Sequence, residues 1–136
     1  MTTISVLAQQ KMEQLRALTW GVDDLGRPLT DTTSDTTTVP ERPAGGTGLS
    51  PSPGNTLAMD TPGYCDFVDA FGGLLDEGAS TSRARTASVY TRRWSITRVP
   101  ADPDNTIVIQ VRVIATTPWG QGESASIVGV RTRRGA

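Results

Sequence analysis

The chain has 136 residues, enough for one domain with one core, and its 36% hydrophobic and 5% aromatic content makes that core a lean one. It has no histidine and a single cysteine, Cys65. Most zinc sites, Ser-His-Asp triads, Cys-His pairs and an internal disulfide are therefore excluded. The net charge of −1 hides a division: residues 1 to 80 carry −7, and residues 81 to 136, with nine arginines and three acids, carry +6. Such an asymmetry predicts a match between the halves inside one molecule or complementary surfaces between molecules.

The first predicted element is an amphipathic helix over 4–20, "ISVLAQQKMEQLRALTW". Ile4, Leu7, Met12, Leu15 and Leu18 share one side, and Gln10, Glu13, Gln14 and Arg16 lie mostly on the other. Thr2 or Thr3 can cap its start, and it should stop by Gly21. Alone in water so short a helix is marginal, so it needs a sheet to lie on.

Residues 21–63 are rich in Thr, Ser, Pro, Gly and Asp and keep no period. They are expected to form an ordered excursion over the surface, anchored by Leu25, Leu29, Val39, Leu49, Leu57 and Met59. "DTTTV" (35–39) reads as a short edge strand before Pro40. In "GYCDFVDAFGGLLDEG" (63–78), Tyr64, Cys65, Phe67 and Val68 suggest a short strand and "AFGG" a turn. Cys65 reads as a small buried hydrophobe. The acids Asp66, Asp69, Asp76 and Glu77 cluster here, but the EF-hand spacing is absent. They are expected to be solvated turn carboxylates, with no cofactor and no metal ligands; the alternative is a calcium-binding loop.

The last third is the clearest β region. "ASVYTRRWSITRV" (87–99) puts Tyr90, Trp94 and Ile96 on one face, with Arg92 and Arg98 at its margins. "TIVIQVRVIAT" (106–116) does the same with Ile107, Ile109, Val111 and Val113. The turn formers "PADPDN" join the two as a hairpin, and "ASIVGVRTR" (125–133) adds a third strand after "TPWGQGES". This antiparallel meander has one apolar face, and the helix should cover it through Leu7, Met12, Leu15 and Leu18 against Trp94 and the β-branched row.

No catalytic motif survives inspection. "GLSPSPG" lacks the glycine spacing and context of a serine elbow, "DTPG" is not an aspartic-protease triad and has no second copy, and the only lysine is Lys11. The arginines Arg83, Arg85, Arg92, Arg93, Arg98, Arg112, Arg131, Arg133 and Arg134 surround the sheet, with Trp94 and Trp119 nearby. A pI near 5.3 argues against general nucleic-acid affinity. Arg131, Arg133 and Arg134 stand out as candidate subunit-contact residues, because the chain end gives them no local acid.

The order of helix, long connection and meander resembles the soluble part of the type IV pilin superfamily, closest to minor pilins and to the minor pseudopilins of type II secretion. "LAQQKMEQLRAL" (7–18) resembles the end of that family's long first helix, and "YTRRWSITRVPADPDNTIVIQVRV" (90–113) its "R-R-W-x-I" strand, turn and following strand. The resemblance implies an α+β, pilin-like fold in one domain, 1–136. Residues 1–20 would be the second half of the first helix, 21–80 a long connecting region and 81–136 the sheet. It also implies that a basic leader, removed by a prepilin peptidase, and an apolar membrane half of the helix precede Met1 in the natural protein. The chain would then be a non-enzymatic subunit, anchored in the inner membrane with a periplasmic domain and later built into a filament. Its partners would be other pilin or pseudopilin subunits. The alternative is a secreted adhesive or ligand-binding β-domain, with DNA as one ligand.

Overall fold

A computed structural model of the protein describes residues 3–75, 89–117 and 120–133. The helix, α1, runs Thr3–Arg16 and ends four residues earlier than its periodicity suggests. Its last turn tightens where Leu18 N donates to Leu15 O at 3.3 Å, and Leu18 is buried just past the end. Thr19 and Trp20 are β-prone, and the chain turns straight into a strand that pairs back on itself. That strand, β1 (Trp20–Val22), forms a hairpin with β2 (Pro28–Thr30). Asp23 builds the turn: its carboxylate accepts from Leu25 N and Arg27 N, and Gly26 takes φ +78°.

The main sheet has four antiparallel strands in sequence order: β3 (Cys65–Val68), β4 (Tyr90–Arg98), β5 (Thr106–Thr117) and β6 (Gly120–Thr132). Alternation along β4 and β5 fixes the register, with Trp94 opposite Val111 and Ile96 opposite Ile109. Beneath α1 lie Trp94, Ile96, Ile107, Ile109, Val111 and Val113, all buried, in one cluster with Ile4, Leu7, Met12, Leu15 and Leu18. Burying the five helical side chains contributes on the order of 10 kcal/mol. Among the described residues no helix is long and apolar enough to cross a membrane.

The expected fold class needs correction. In place of one meander under a helix and an irregular connection, the described residues form six strands in two separate antiparallel sheets, and the connection supplies most of β1 and all of β2 and β3. A helix does pack on a sheet, but nothing in the arrangement is specific to pilins. The edge strand expected at 35–39 is reduced to one bridge between Asp35 and Arg42. The expected capping residue Thr2 and the beginning of the 87–99 strand lie outside the described residues.

Only part of the apolar anchoring expected for the connection is seen, with Leu49 in the core and Leu57 half-buried. Leu25, Leu29, Val39 and Met59 are exposed. Hydrogen bonds do the rest of the fastening. Asp31 Oδ1 accepts from Thr33 N and Ser34 N, while Gly46 N, Gly48 N and Leu49 N donate to the carbonyls of Thr33, Ser34 and Asp31. The two glycines make this close approach possible. A Cβ on Gly46 would stand 2.3 Å from Asp35 Cα, and one on Gly48, at φ +51°, 2.4 Å from Asp31 O. Gly48→Ala is therefore expected to lower stability by more than ~1 kcal/mol. Gly54→Ala, whose new methyl meets nothing within 4 Å, should stay within about 0.5 kcal/mol of the parent. Urea midpoints of the two variants check this.

Candidate functional site

The most chemically loaded place in the molecule is buried where α1, β3 and β4 meet. Lys11 lies on the inward stripe of α1, four residues from both Leu7 and Leu15. Asp66 is the inward residue of β3 between Tyr64 and Val68, and Arg92 stands opposite it on β4. Lys11 Nζ is 2.8 Å from Asp66 Oδ2, and Arg92 grips both carboxylate oxygens at 2.7 and 2.9 Å. This is bidentate geometry, the stronger form of such a pair. Three further acceptors serve the two cations. Lys11 donates to Thr36 O at 2.6 Å and Gln14 Oε1 at 2.5 Å, and Arg92 Nη1 to Leu7 O at 3.3 Å. The ammonium also sits 4.5 Å from the centre of the Trp94 ring.

Two cations thus share one carboxylate out of reach of water. Burial pushes the Lys11 pKa down from its ordinary value, and Asp66 partly restores it. A lowered lysine is a familiar nucleophile, but this side chain is fully enclosed between Asp66, Thr36 and Gln14. Its contacts make it a strut joining helix, sheet and connection. An open groove of about 760 Å³ runs alongside, lined by Gln10, Glu13, Gln14, Pro40, Glu41 and Leu74, with Arg92 at its floor.

Asp66 therefore departs from the expected solvated turn carboxylate. Asp69 does sit in a turn, accepting from Phe71 N and Gly73 N. Asp76 and Glu77 lie outside the described residues, and among the described residues no group of three or more metal-ligating side chains gathers. Cys65 is buried on the far face of the sheet beside Phe67 and Leu75.

The described arginines of the basic half are largely spent inside the molecule. Arg93 Nε pairs with Asp60 at 3.0 Å, and Arg93 and Arg112 both donate to Leu57 O, which ties the 52–60 segment across the far face of the sheet. With Arg92 on Asp66, two of the acidic half's carboxylates meet the basic half within one chain. Arg131 Nη1 donates to Leu18 O at 2.8 Å, and burial and the neighbouring Arg16 charge push its pKa down. Arg133 donates to the carbonyls of Asp104, Gly21 and Leu29 and to Thr30 Oγ1, with its guanidinium 3.5 Å from the centre of the Trp20 ring. It clamps the β1–β2 hairpin to the end of β6. Arg83, Arg85, Arg134 and Trp119 lie outside the described residues.

Arg133→Ala should therefore cost about 1–3 kcal/mol, since charged hydrogen bonds to several carbonyls are lost together. Arg131→Ala, which gives up one carbonyl, should cost less. Denaturant midpoints rank them, and an equal or reversed order would show that the hairpin clamp does not act in solution.

The helix-packing residues expected from the sequence (Leu7, Met12, Leu15, Leu18 and Trp94) come together in one buried cluster. Sequence reasoning missed the Lys11–Asp66–Arg92 triad, although its signal was present. A cation on the apolar stripe of a helix and an anion on the inward row of a strand each violate their local pattern. Beyond the triad, the outer face of β6 is open, with Val128 and Val130 at 60% and 57% exposure. Compared with protein-family models, curated proteins and solved structures, the chain matches none.

Proposed function

We propose that the chain is a non-enzymatic structural subunit, a minor pilin or minor pseudopilin, that works through contacts with other subunits of a type IV pilus or type II secretion filament. The observation that carries this reading is how α1 is held. One side of a 14-residue helix is sealed to the sheet by an apolar row, and its middle is bolted by a buried ion triad that reaches β3, β4 and residue 36. A helix bolted in this way can transmit load between a sheet domain and whatever its N-terminus joins. Residues 7–18 and 90–113, which carry the resemblance to pilins, cover most of the helix, all of β4 and the greater part of β5.

On this reading the groove beside α1 and the open face of β6 are surfaces for neighbouring subunits, and the inner membrane is reached through helix preceding Met1. The test has two parts. The coding sequence upstream of Met1 is read for a basic leader followed by about 20 apolar residues. The gene is then deleted and filament assembly and protein secretion are scored. A leader together with loss of either process supports the proposal. An upstream sequence without the apolar segment overturns it, as does normal assembly and secretion in the deletion strain.

A further inference from the structure

The strand β6 ends the four-stranded sheet, and among the described residues no strand pairs with its outer side. The register fixes which groups that side presents. Arg133 N donates to Asn105 O, and pairing with β5 continues without a shift from Thr132 opposite Thr106 to Ser124 opposite Ile114. The odd residues from 125 to 133 therefore bond inward, and the N–H and C=O groups of Ser124, Ser126, Val128 and Val130 point outward. Natural edges are blunted by lysine, proline, bulges or inward charges. From Ser124 to Val130 this edge has no charge and no proline, and its single irregularity lies beyond it, near Thr116.

We propose that β6 pairs antiparallel with β6 of a second copy of this chain, about a two-fold axis at Ile127, to make a continuous eight-stranded sheet. Self-complementarity selects this partner. With Ile127 opposite Ile127, Ser126 faces Val128 and Ser124 faces Val130, so about eight backbone hydrogen bonds form between outward groups. Each half-exposed valine gains a neighbour across the junction. At the flank, Glu123 comes opposite Arg131. Within one chain Arg131 lies close to Arg16, and neither is in an ion pair among the described residues; the second copy supplies the carboxylate. No like charges face each other in this register.

On the helix side, a groove of about 600 Å³ lies between α1 and β6, lined by Met12, Ala17, Ile127, Gln9, Glu13 and Arg16. The second copy's Ile127 arrives at its mouth, so an apolar contact forms on the same face as the existing core. The inference stands on the edge alone and holds whether or not the chain builds filaments.

The test is the mass of the 136-residue chain in solution from micromolar to millimolar concentration, by sedimentation equilibrium. A monomer–dimer equilibrium is expected. Val128→Pro should abolish it with an unchanged circular-dichroism spectrum, because the Val128 N–H is not bonded to β5 and proline is tolerated at such edge positions. A second variant, Ser126→Lys with Val128→Lys, places lysine against lysine across the junction while leaving the core untouched, and should also be monomeric. Ile127→Cys should give a covalent dimer on oxidation, since residues facing at a non-hydrogen-bonded position are about 4.5 Å apart, within disulfide reach. A monomer at every concentration, a dimer that survives both disrupting variants, polydisperse aggregates, or covalent dimer from Val130→Cys but not from Ile127→Cys would each overturn the proposal.

Discussion

Asp66→Ala is expected to remove about 3–5 kcal/mol of stability, because it leaves Lys11 and Arg92 buried together with no counter-charge. For a chain of this size the melting temperature should fall by roughly 10 °C or more. The charge count makes this change worse than removing either cation. With Asp66 present, the site holds two positive groups and one negative, and three acceptors (Thr36 O, Gln14 Oε1 and Leu7 O) take up the other two Lys11 donors and one more from Arg92. Without it, two like charges face each other in a medium that screens them poorly. Lys11→Met leaves the bidentate Arg92–Asp66 pair intact and fills much of the same volume, so it should cost much less than Asp66→Ala. Thermal melts of the two variants decide the matter, and equal losses would mean that the lysine and the carboxylate are held independently.

The same triad gives stability a dependence on pH with a definite sign. Burial lowers the Lys11 pKa in the folded chain below its unfolded value of 10.5. Between those two pKa values the unfolded chain binds more protons than the folded one, so this group's contribution to stability rises with pH across that alkaline window. Below the folded pKa the group exerts its full penalty, independent of pH. Lys11→Met should abolish the alkaline increment, which a comparison of urea midpoints on either side of the window will show.

These residues also mark where the sequence was legible. Strands β4 and β5 were readable because large apolar side chains recur at every second position (Trp94 and Ile96, then Ile107 to Val113) and a dense turn separates them. The helix was readable because Leu7, Met12, Leu15 and Leu18 recur at its period. The connection was not readable, because its order comes from groups without periodicity. Asp31 and Asp35 carboxylates hold nearby backbone and hydroxyl groups, and glycines at 46 and 48 bring two backbones together where any side chain would clash. The hairpin of β1 and β2 is only three residues a side, too short for alternation to register. The triad escaped for a further reason: charged residues on an apolar row read as interruptions until their partners, 55 and 26 residues apart along the chain, are placed side by side. Charge division between the halves left open whether they meet within one molecule or between molecules; Asp66 and Asp60 from the acidic part meet Arg92 and Arg93 from the basic one within the chain.

Leu15→Ala should cost about 2–5 kcal/mol, the second-largest effect among these changes. The side chain is 0% exposed and belongs to the cluster that joins α1 to β4, β5 and β6. Truncation removes its buried methyl groups and leaves a void that the sheet cannot fill, because β5 is pinned by strands on both sides. Helix propensity cannot explain such a loss, since alanine is the better helix former. Any destabilisation therefore reports packing of helix on sheet. Val130→Ala is the control: at 57% exposure, on the face away from α1, it should shift stability by no more than about 0.5 kcal/mol. Chemical denaturation of both variants measures the contrast. If Leu15→Ala costs no more than Val130→Ala, the helix does not rest on this sheet in solution. The load-transmitting role proposed for it then loses its physical basis.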